Sequence, residues 1–242
     1  MNLKDKKVLI TGASSGIGLA IATTLAKAGA HVAFTYNSNE TGAKETLKQI
    51  GEHGLMFKVD FAKEDEIDVL FEKLNKEWGS LDILVNNAGV NRPRGLFETK
   101  DWKEVFQIDL FSAVKTTGLA VELMENKGKV LNITSIYGFG KACYKGIAPY
   151  GAAKAALNHY TEVLAKNLAP KILVNAIAPG YVKTPLWGNK SEQEFKDSGE
   201  EQLIERMIEP SEIANMAKAI LENDAMTGEI VIVDGGLSLK TI

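Results

Sequence analysis

The sequence predicts an α/β fold: one doubly wound domain, with about seven parallel strands in a single sheet and helices on both faces. Three observations predict it. Short β-branched runs alternate with longer stretches of helical periodicity, the pattern of a parallel sheet with right-handed crossovers. Several of those runs are almost wholly apolar, as strands covered on both faces are. The chain has 242 residues, enough for one large domain that buries roughly three quarters of its unfolded surface.

The strand candidates are residues 7–10, 31–36, 55–59, 83–86, 129–134, 171–177 and 229–233. Between the first two, Ile17, Ile21 and Leu25 recur at four-residue spacing. Ile67, Leu70, Phe71, Leu74 and Trp78 trace a second apolar helix face. Asp65 and Glu66 suit its positive N-terminal end, and Gly79-Ser80 stops it. Long helices are predicted over about 100–125 and 150–169. Linkers, repeats and low-complexity segments are absent, so residues 1–242 read as one domain. The one long irregular stretch is 179–210, and the part at about 183–210 reads as a substrate loop. Its charges at 192–196 fit a solvated helix within it.

Hydrophobic residues at 45% and charged residues at 24% describe an ordinary globular protein. A net charge of -3 leaves no basic footprint for nucleic acid. Cys143 is the lone cysteine, so no disulfide can form within the chain. The apolar run at 8–10 is too short for a signal-peptide core, and no window approaches a membrane span. A cytoplasmic location is therefore expected. His31, His53 and His159 are far apart, and no metal site is expected.

The first strand runs into Thr11-Gly12-Ala13-Ser14-Ser15-Gly16-Ile17-Gly18, and a helix follows at once. Glycines let the backbone turn tightly and approach a ligand, and the helix N-terminus attracts phosphate. A doubly wound sheet holds a dinucleotide pyrophosphate at this place. The G-x-x-x-G-x-G spacing differs from the general G-x-G-x-x-G fingerprint, and a glycine turn that merely permits close packing is the alternative.

Tyr150 and Lys154 stand four residues apart at the head of a predicted helix, hence on one face. A lysine ammonium there would favour phenolate and lower the tyrosine pKa, suiting the pair to trade a proton with an alcohol or ketone. Tyr137 and Lys141 share the spacing. Two glycines between them make a poor helix, and this pair reads as a decoy. Ser135 follows the fifth strand, where the carboxyl ends of strands face a ligand crevice. Its hydroxyl could bond a substrate oxygen or simply end the strand.

Taken together, these pieces resemble the short-chain dehydrogenase/reductase family over nearly the whole chain. The glycine turn is similar to its cofactor loop. Asn86-Asn87-Ala88-Gly89 matches its N-N-A-G motif, and Pro179-Gly180 its P-G motif. Ser135, Tyr150 and Lys154 match its catalytic serine, tyrosine and lysine, and Val233-Asp234-Gly235-Gly236 a common ending. The resemblance implies a Rossmann-like fold and a hydride transfer between a nicotinamide and a ketone or secondary alcohol. Tyr150 would be the acid/base, with Lys154 tuning it and binding the nicotinamide ribose, and Ser135 would position the reacting oxygen. Cofactor contacts would come from Gly12, Ser14, Ser15, Gly16, Ile17, Gly18, Asn37, Ser38, Asp60, Phe61, Asn87, Ala88, Gly89, Pro179, Gly180, Val182 and Thr184. The family's fourth catalytic residue is an asparagine, and this chain has Asp109 in its place. A buried carboxylate needs a partner or a proton.

NADP is the expected cofactor, with NAD possible. The second strand ends in Tyr36-Asn37-Ser38, without the acid that repels a 2′-phosphate, yet also without an arginine to receive one. Length and motifs resemble the 3-oxoacyl-(acyl-carrier-protein) reductases most. Lys129, Lys145, Lys171 and Lys183 are candidates to meet an acidic carrier at the cleft mouth, although at least two read better as ordinary solvated lysines. Sugar and alcohol dehydrogenases of the family share every motif, and a catalytically idle nucleotide-binding scaffold is a further alternative. The resemblance also implies a homotetramer or homodimer.

Overall fold

A computed structural model describes residues 1–91, 96–125, 127–140, 145–188 and 190–240. Cys143 and Lys141 lie outside them.

Seven strands form one parallel sheet. They are β1 (Lys7–Ile10), β2 (His31–Tyr36), β3 (Leu55–Lys58), β4 (Ile83–Asn86), β5 (Gly128–Ile133), β6 (Ile172–Pro179) and β7 (Ile230–Val233). Their order across the sheet is β3-β2-β1-β4-β5-β6-β7. The chain therefore winds outward from β1 in one direction, returns to β4 beside it, and winds outward in the other. Loops leaving β1 and β4 diverge at this switch point and open a crevice at the strands' carboxyl ends. Each strand lies within two residues of its sequence-predicted ends, because strands covered on both faces read as short, nearly continuous apolar runs.

Among the described residues the helices are α1 (Gly16–Lys27), α2 (Glu40–Ile50), α3 (Glu64–Trp78), α4 (Thr99–Phe106), α5 (Ser112–Leu123), α6 (Ala148–Leu168), α7 (Glu192–Glu200), α8 (Pro210–Glu222) and α9 (Leu237–Lys240). One core layer joins Ile21 and Leu25 of α1, Ala43 of α2 and Ile213 and Ala217 of α8 to Val8, Val32 and Val85 of the sheet. The opposite layer joins Ile67, Leu70 and Leu74 of α3, Ala120 of α5 and Ala165 of α6 to Leu9, Leu84 and Val130. Alternate residues of a strand point to opposite faces, so Val8 and Leu9 serve different layers.

Two predicted elements differ. The helix expected over about 100–125 is broken by one π-helical turn, Gln107–Phe111, between α4 and α5. The Ser112 hydroxyl bonds the Ile108 carbonyl at 2.6 Å, competing with the regular helical ladder. The stretch at 179–210 is not structureless. It holds a 3-10 turn (Pro185–Trp187), α7 with its Ser191–Glu194 capping box, and a bridge between Val182 and Ile208. No helix of the described residues is long and apolar enough to cross a membrane, and none of them form a metal-binding group of three or more ligands.

Candidate active site

The crevice at the switch point is a cleft of about 650 Å³, within the range of small-molecule sites. All the catalytic and cofactor-contact residues named from sequence line it, from Asn37 and Ser38 at one end to Tyr150 at the other.

The glycine turn explains its own composition. Gly12 and Gly16 have φ of 67° and 58°, left-handed values that L side chains rarely adopt. At Gly18 a Cβ would stand 2.4 Å from the Gly12 carbonyl oxygen and 2.6 Å from Asn87 Nδ2. Asn87 donates to the Thr11 and Gly12 carbonyls at 2.9 and 2.7 Å, and Thr11 Oγ1 accepts the N–H groups of Asn87 and Ala88. The loops after β1 and β4 are thereby one unit. The Ser15 side chain makes no cap bond at the start of α1, so its hydroxyl faces the cleft uncommitted to the helix. Left-handed glycines, a tight helix start and a cleft running past both fit a dinucleotide's pyrophosphate.

At the Asn37–Ser38 end, Asn39 caps α2 and donates to the Ser14 carbonyl, while Tyr36, Asn37, Ser38, Asp60 and Phe61 line the wall. The nearest acid after β2, Glu40, is paired with Lys44 at 2.8 Å. Its hydrogen bond to Lys44 and the charge of Lys58 hold its carboxyl below the usual range.

At the other end, α6 begins two residues earlier than the tyrosine. Pro149 lies in its first turn, where a missing N–H costs nothing. Tyr150 and Lys154 thus share a helical face, with Lys154 Nζ 5.5 Å from the phenol ring centroid. Ser135 follows β5. Its Oγ accepts the Tyr137 N–H at 3.2 Å, and its side chain also hydrogen-bonds the Tyr150 phenol. Lys154 is buried, and its Nζ donates to the Ile133 carbonyl at 3.2 Å.

Asp109, on the π turn, meets Lys154 Nζ at 3.1 Å, and its Oδ2 accepts the Val90 N–H at 3.0 Å. The buried carboxylate thus has its partner. The expected lowering of the Tyr150 pKa is corrected. Burial pushes the Tyr150 phenol above its ordinary value; Lys154 opposes this, but Asp109 reinforces it. Burial also pushes Asp109 up against the pull of Lys154. Lys154 stays above its ordinary value because Asp109 and Tyr150 outweigh its desolvation.

Two further expectations need correction. Lys129 lies at the amino end of β5, away from the cleft. It is buried and bonds Asp224 and the Asn223 carbonyl at 2.7 Å each. Lys171 precedes β6 at that same far end. Lys183 sits between two cleft-lining residues, and Lys145 precedes Ile147, which lines the cleft. Tyr137, set aside as part of a decoy, sits in a three-residue 3-10 turn (Ile136–Gly138), and Lys141 lies outside the described residues. Tyr137 nonetheless lines the cleft, donating to Tyr181 Oη at 2.8 Å, and Tyr181 donates to Glu201 at 3.0 Å. Trp187, Lys190 and Ser198 complete that wall. Sequence reasoning missed these because isolated aromatic and charged residues in an irregular stretch carry no periodic signal.

A family model described as enoyl-(acyl carrier protein) reductase matches residues 12–238. The 3-oxoacyl-[acyl-carrier-protein] reductase FabG of Aquifex aeolicus is 35% identical over 98% of this chain and 99% of its own length. A short-chain dehydrogenase/reductase from Serratia marcescens superposes with a TM-score of 0.91 at 29% identity, covering 98% of this chain and 100% of its own. A short-chain dehydrogenase from Burkholderia cenocepacia, solved in complex with NADP, has the same TM-score at 28% identity, covering 98% and 99%.

Proposed function

Because this chain belongs to the short-chain dehydrogenase/reductase family, a family of nicotinamide-dependent oxidoreductases, we propose that it is an NADP-preferring reductase of ketones, with 3-oxoacyl thioesters on an acyl carrier as the substrate class. The observation that carries the reading is the Ser135–Tyr150–Lys154 constellation at the inner end of a dinucleotide-sized cleft. A reduced nicotinamide, when bound, supplies hydride to the carbonyl carbon. Tyr150 Oη would supply the proton to the carbonyl oxygen, Ser135 Oγ would hold that oxygen, and Lys154 would orient the phenol and help hold the nicotinamide ribose. The NADP preference rests on neutral donors at Asn37 and Ser38 and on a Glu40 whose charge Lys44 offsets. The carrier reading rests on whole-length similarity to carrier-dependent reductases and on Lys145 and Lys183 beside the cleft mouth. The segment at about 183–210 acts as the substrate loop of the single domain 1–242. The protein works as a homotetramer or homodimer in the cytoplasm, and the half-exposed Phe111 and Val114 suit an interface along α4 and α5.

A second reading, a sugar or alcohol dehydrogenase, is favoured by one feature: the Tyr137–Tyr181–Glu201 chain offers hydroxyls and a carboxylate where substrate would lie. The test compares 3-oxoacyl, enoyl, sugar and simple ketone substrates, with NADPH and NADH, in the parent and Tyr150→Phe proteins. We expect turnover of a 3-oxoacyl thioester with NADPH, and its loss by roughly 10²- to 10⁴-fold in Tyr150→Phe with NADPH binding retained. Unchanged turnover would remove Tyr150 from the role. Tighter NADH binding with sugar oxidation would favour the second reading.

A further inference from the structure

We infer that the Asp109 carboxylate keeps the Tyr150 hydroxyl protonated, so that the cleft is set to give a proton to a carbonyl rather than to take one from an alcohol. The inference rests on the proposed role of Tyr150 and adds the direction in which that role runs.

The Asp109 and Lys154 side chains are 0% and 4% exposed, and Nζ lies 3.1 Å from Oδ1. Lys154 is in turn 5.5 Å from the Tyr150 ring centroid. With the phenol neutral, the three groups sum to zero charge. Loss of the phenol proton leaves a buried net charge of one, which a low-dielectric site penalises. With a neutral group at position 109, the same loss would instead remove a buried net charge. The sign holds whichever of Tyr150 and Lys154 releases the proton, because one negative charge fewer always eases its departure.

The pair is built into the site. Asp109 Oδ2 is held by the Val90 N–H, while Oδ1 faces the Lys154 ammonium at 3.1 Å. A side chain at Gly89 would put its Cβ 2.5 Å from Asp109 Oδ1 and 3.3 Å from Lys154 Nζ, so the end of β4 leaves room for the two. No other titratable group is in contact with the phenol among the described residues. The end of β5 brings the Ser135 hydroxyl and the Ile133 carbonyl, and the end of β4 brings Val90 and Asn91. On the facing wall, Tyr137 and Tyr181 are hydrogen-bonded to one another, with Glu201 beyond.

In the reductive direction the O–H bond of Tyr150 breaks and the proton joins the carbonyl oxygen. The carbonyl carbon takes hydride from a reduced nicotinamide dinucleotide, giving a secondary alcohol and the oxidised dinucleotide. The phenolate is then reprotonated from solvent. A phenol held neutral over a wide pH range starts each such cycle loaded.

The test is an ultraviolet titration of tyrosinate in the ligand-free protein. The parent, Asp109→Asn and Asp109→Ala are each read against the same protein carrying Tyr150→Phe, within the pH range where circular dichroism shows the fold intact. Removing the unit charge paired with Lys154 lowers the Tyr150 titration by about one pH unit or more, a tenfold or larger change in the proton concentration required. A phenol that stays protonated up to the alkaline unfolding limit in the parent, and ionises below it in both variants, is the same result. In turnover, the high-pH limb of ketone reduction moves down with it. A Tyr150 titration that is unchanged or higher in both variants overturns the inference. The shift without turnover of any carbonyl in the parent leaves the charge assignment standing and overturns the reductase reading beneath it. Turnover without the shift overturns the inference alone.

Discussion

Gly18 carries more of the site's geometry than any charged residue beside it. The first turn of α1 lies against the Gly12 carbonyl and the Asn87 amide so closely that one methyl group has no place. The substituted backbone must shift, and overpacking of this kind costs typically 1–3 kcal/mol. Gly18→Ala is therefore expected to weaken dinucleotide binding by at least tenfold and to lower the thermal midpoint. Calorimetric titration with NADPH and a melting curve check both. Normal affinity with a lowered midpoint would confine Gly18 to a packing role. Asp109 shows the opposite lesson at this scale: a carboxylate, where an amide of nearly the same size would be neutral, sets the charge balance around Lys154.

At the scale of elements, a buried polar network fixes the helices beside the cleft. Asn86 of β4 donates to Asn132 Oδ1 at 2.9 Å and to Thr117 Oγ1 at 3.0 Å, and accepts from Thr116 at 2.8 Å. Asn132 of β5 donates to Thr161 of α6 at 2.9 Å. Two strands and two helices are thus joined beneath the cleft, with α6 delivering Tyr150 and Lys154. Replacing Asn132 with leucine leaves an Asn86 amide hydrogen without its partner, at about 1–3 kcal/mol for each orphaned buried group. Asn132→Leu should therefore unfold at lower urea and lose turnover beyond what its stability explains. Unaltered activity in the folded variant would show that the network serves stability alone. The π turn acts at the same scale. It offsets the helix so that Asp109 faces Lys154, and such turns are frequent at functional sites.

For the whole molecule, two surface carboxyls contribute to acid stability. Hydrogen bonds from Arg206 and from the Glu209 N–H hold Glu212 at about 2. Lys129, then the N-terminal ammonium, hold Asp224 at about 2. Both values lie below those of the unfolded chain, near 4. The stabilisation is thus complete above about pH 4.5 and is lost as pH falls toward 2. Both groups are substantially exposed, so solvent screening keeps each contribution modest. The melting temperature should fall across that window, and Glu212→Gln with Asp224→Asn should flatten the fall. A parallel decline in parent and double variant would place the acid sensitivity elsewhere.

The order of strands and helices was legible in the sequence, because apolar runs and four-residue periodicity are local properties that tertiary packing then uses. The glycine turn and the Tyr150–Lys154 pair were legible too, since backbone sterics and one helical turn determine their geometry. Three matters waited for the tertiary structure. Lys129 and Lys183 are both lysines beside strands; only the sheet's direction puts one at the far end and the other by the cleft. Tyr137, Tyr181 and Glu201 meet across 64 positions of chain, from 137 to 201, with no pattern to announce it. The sign of the shift at Tyr150 depends on burial and on Asp109, 41 positions earlier, closing within 3.1 Å of Lys154. Propensity and periodicity act over a few residues. Charge and desolvation act through space, and only the folded chain determines which residues share it.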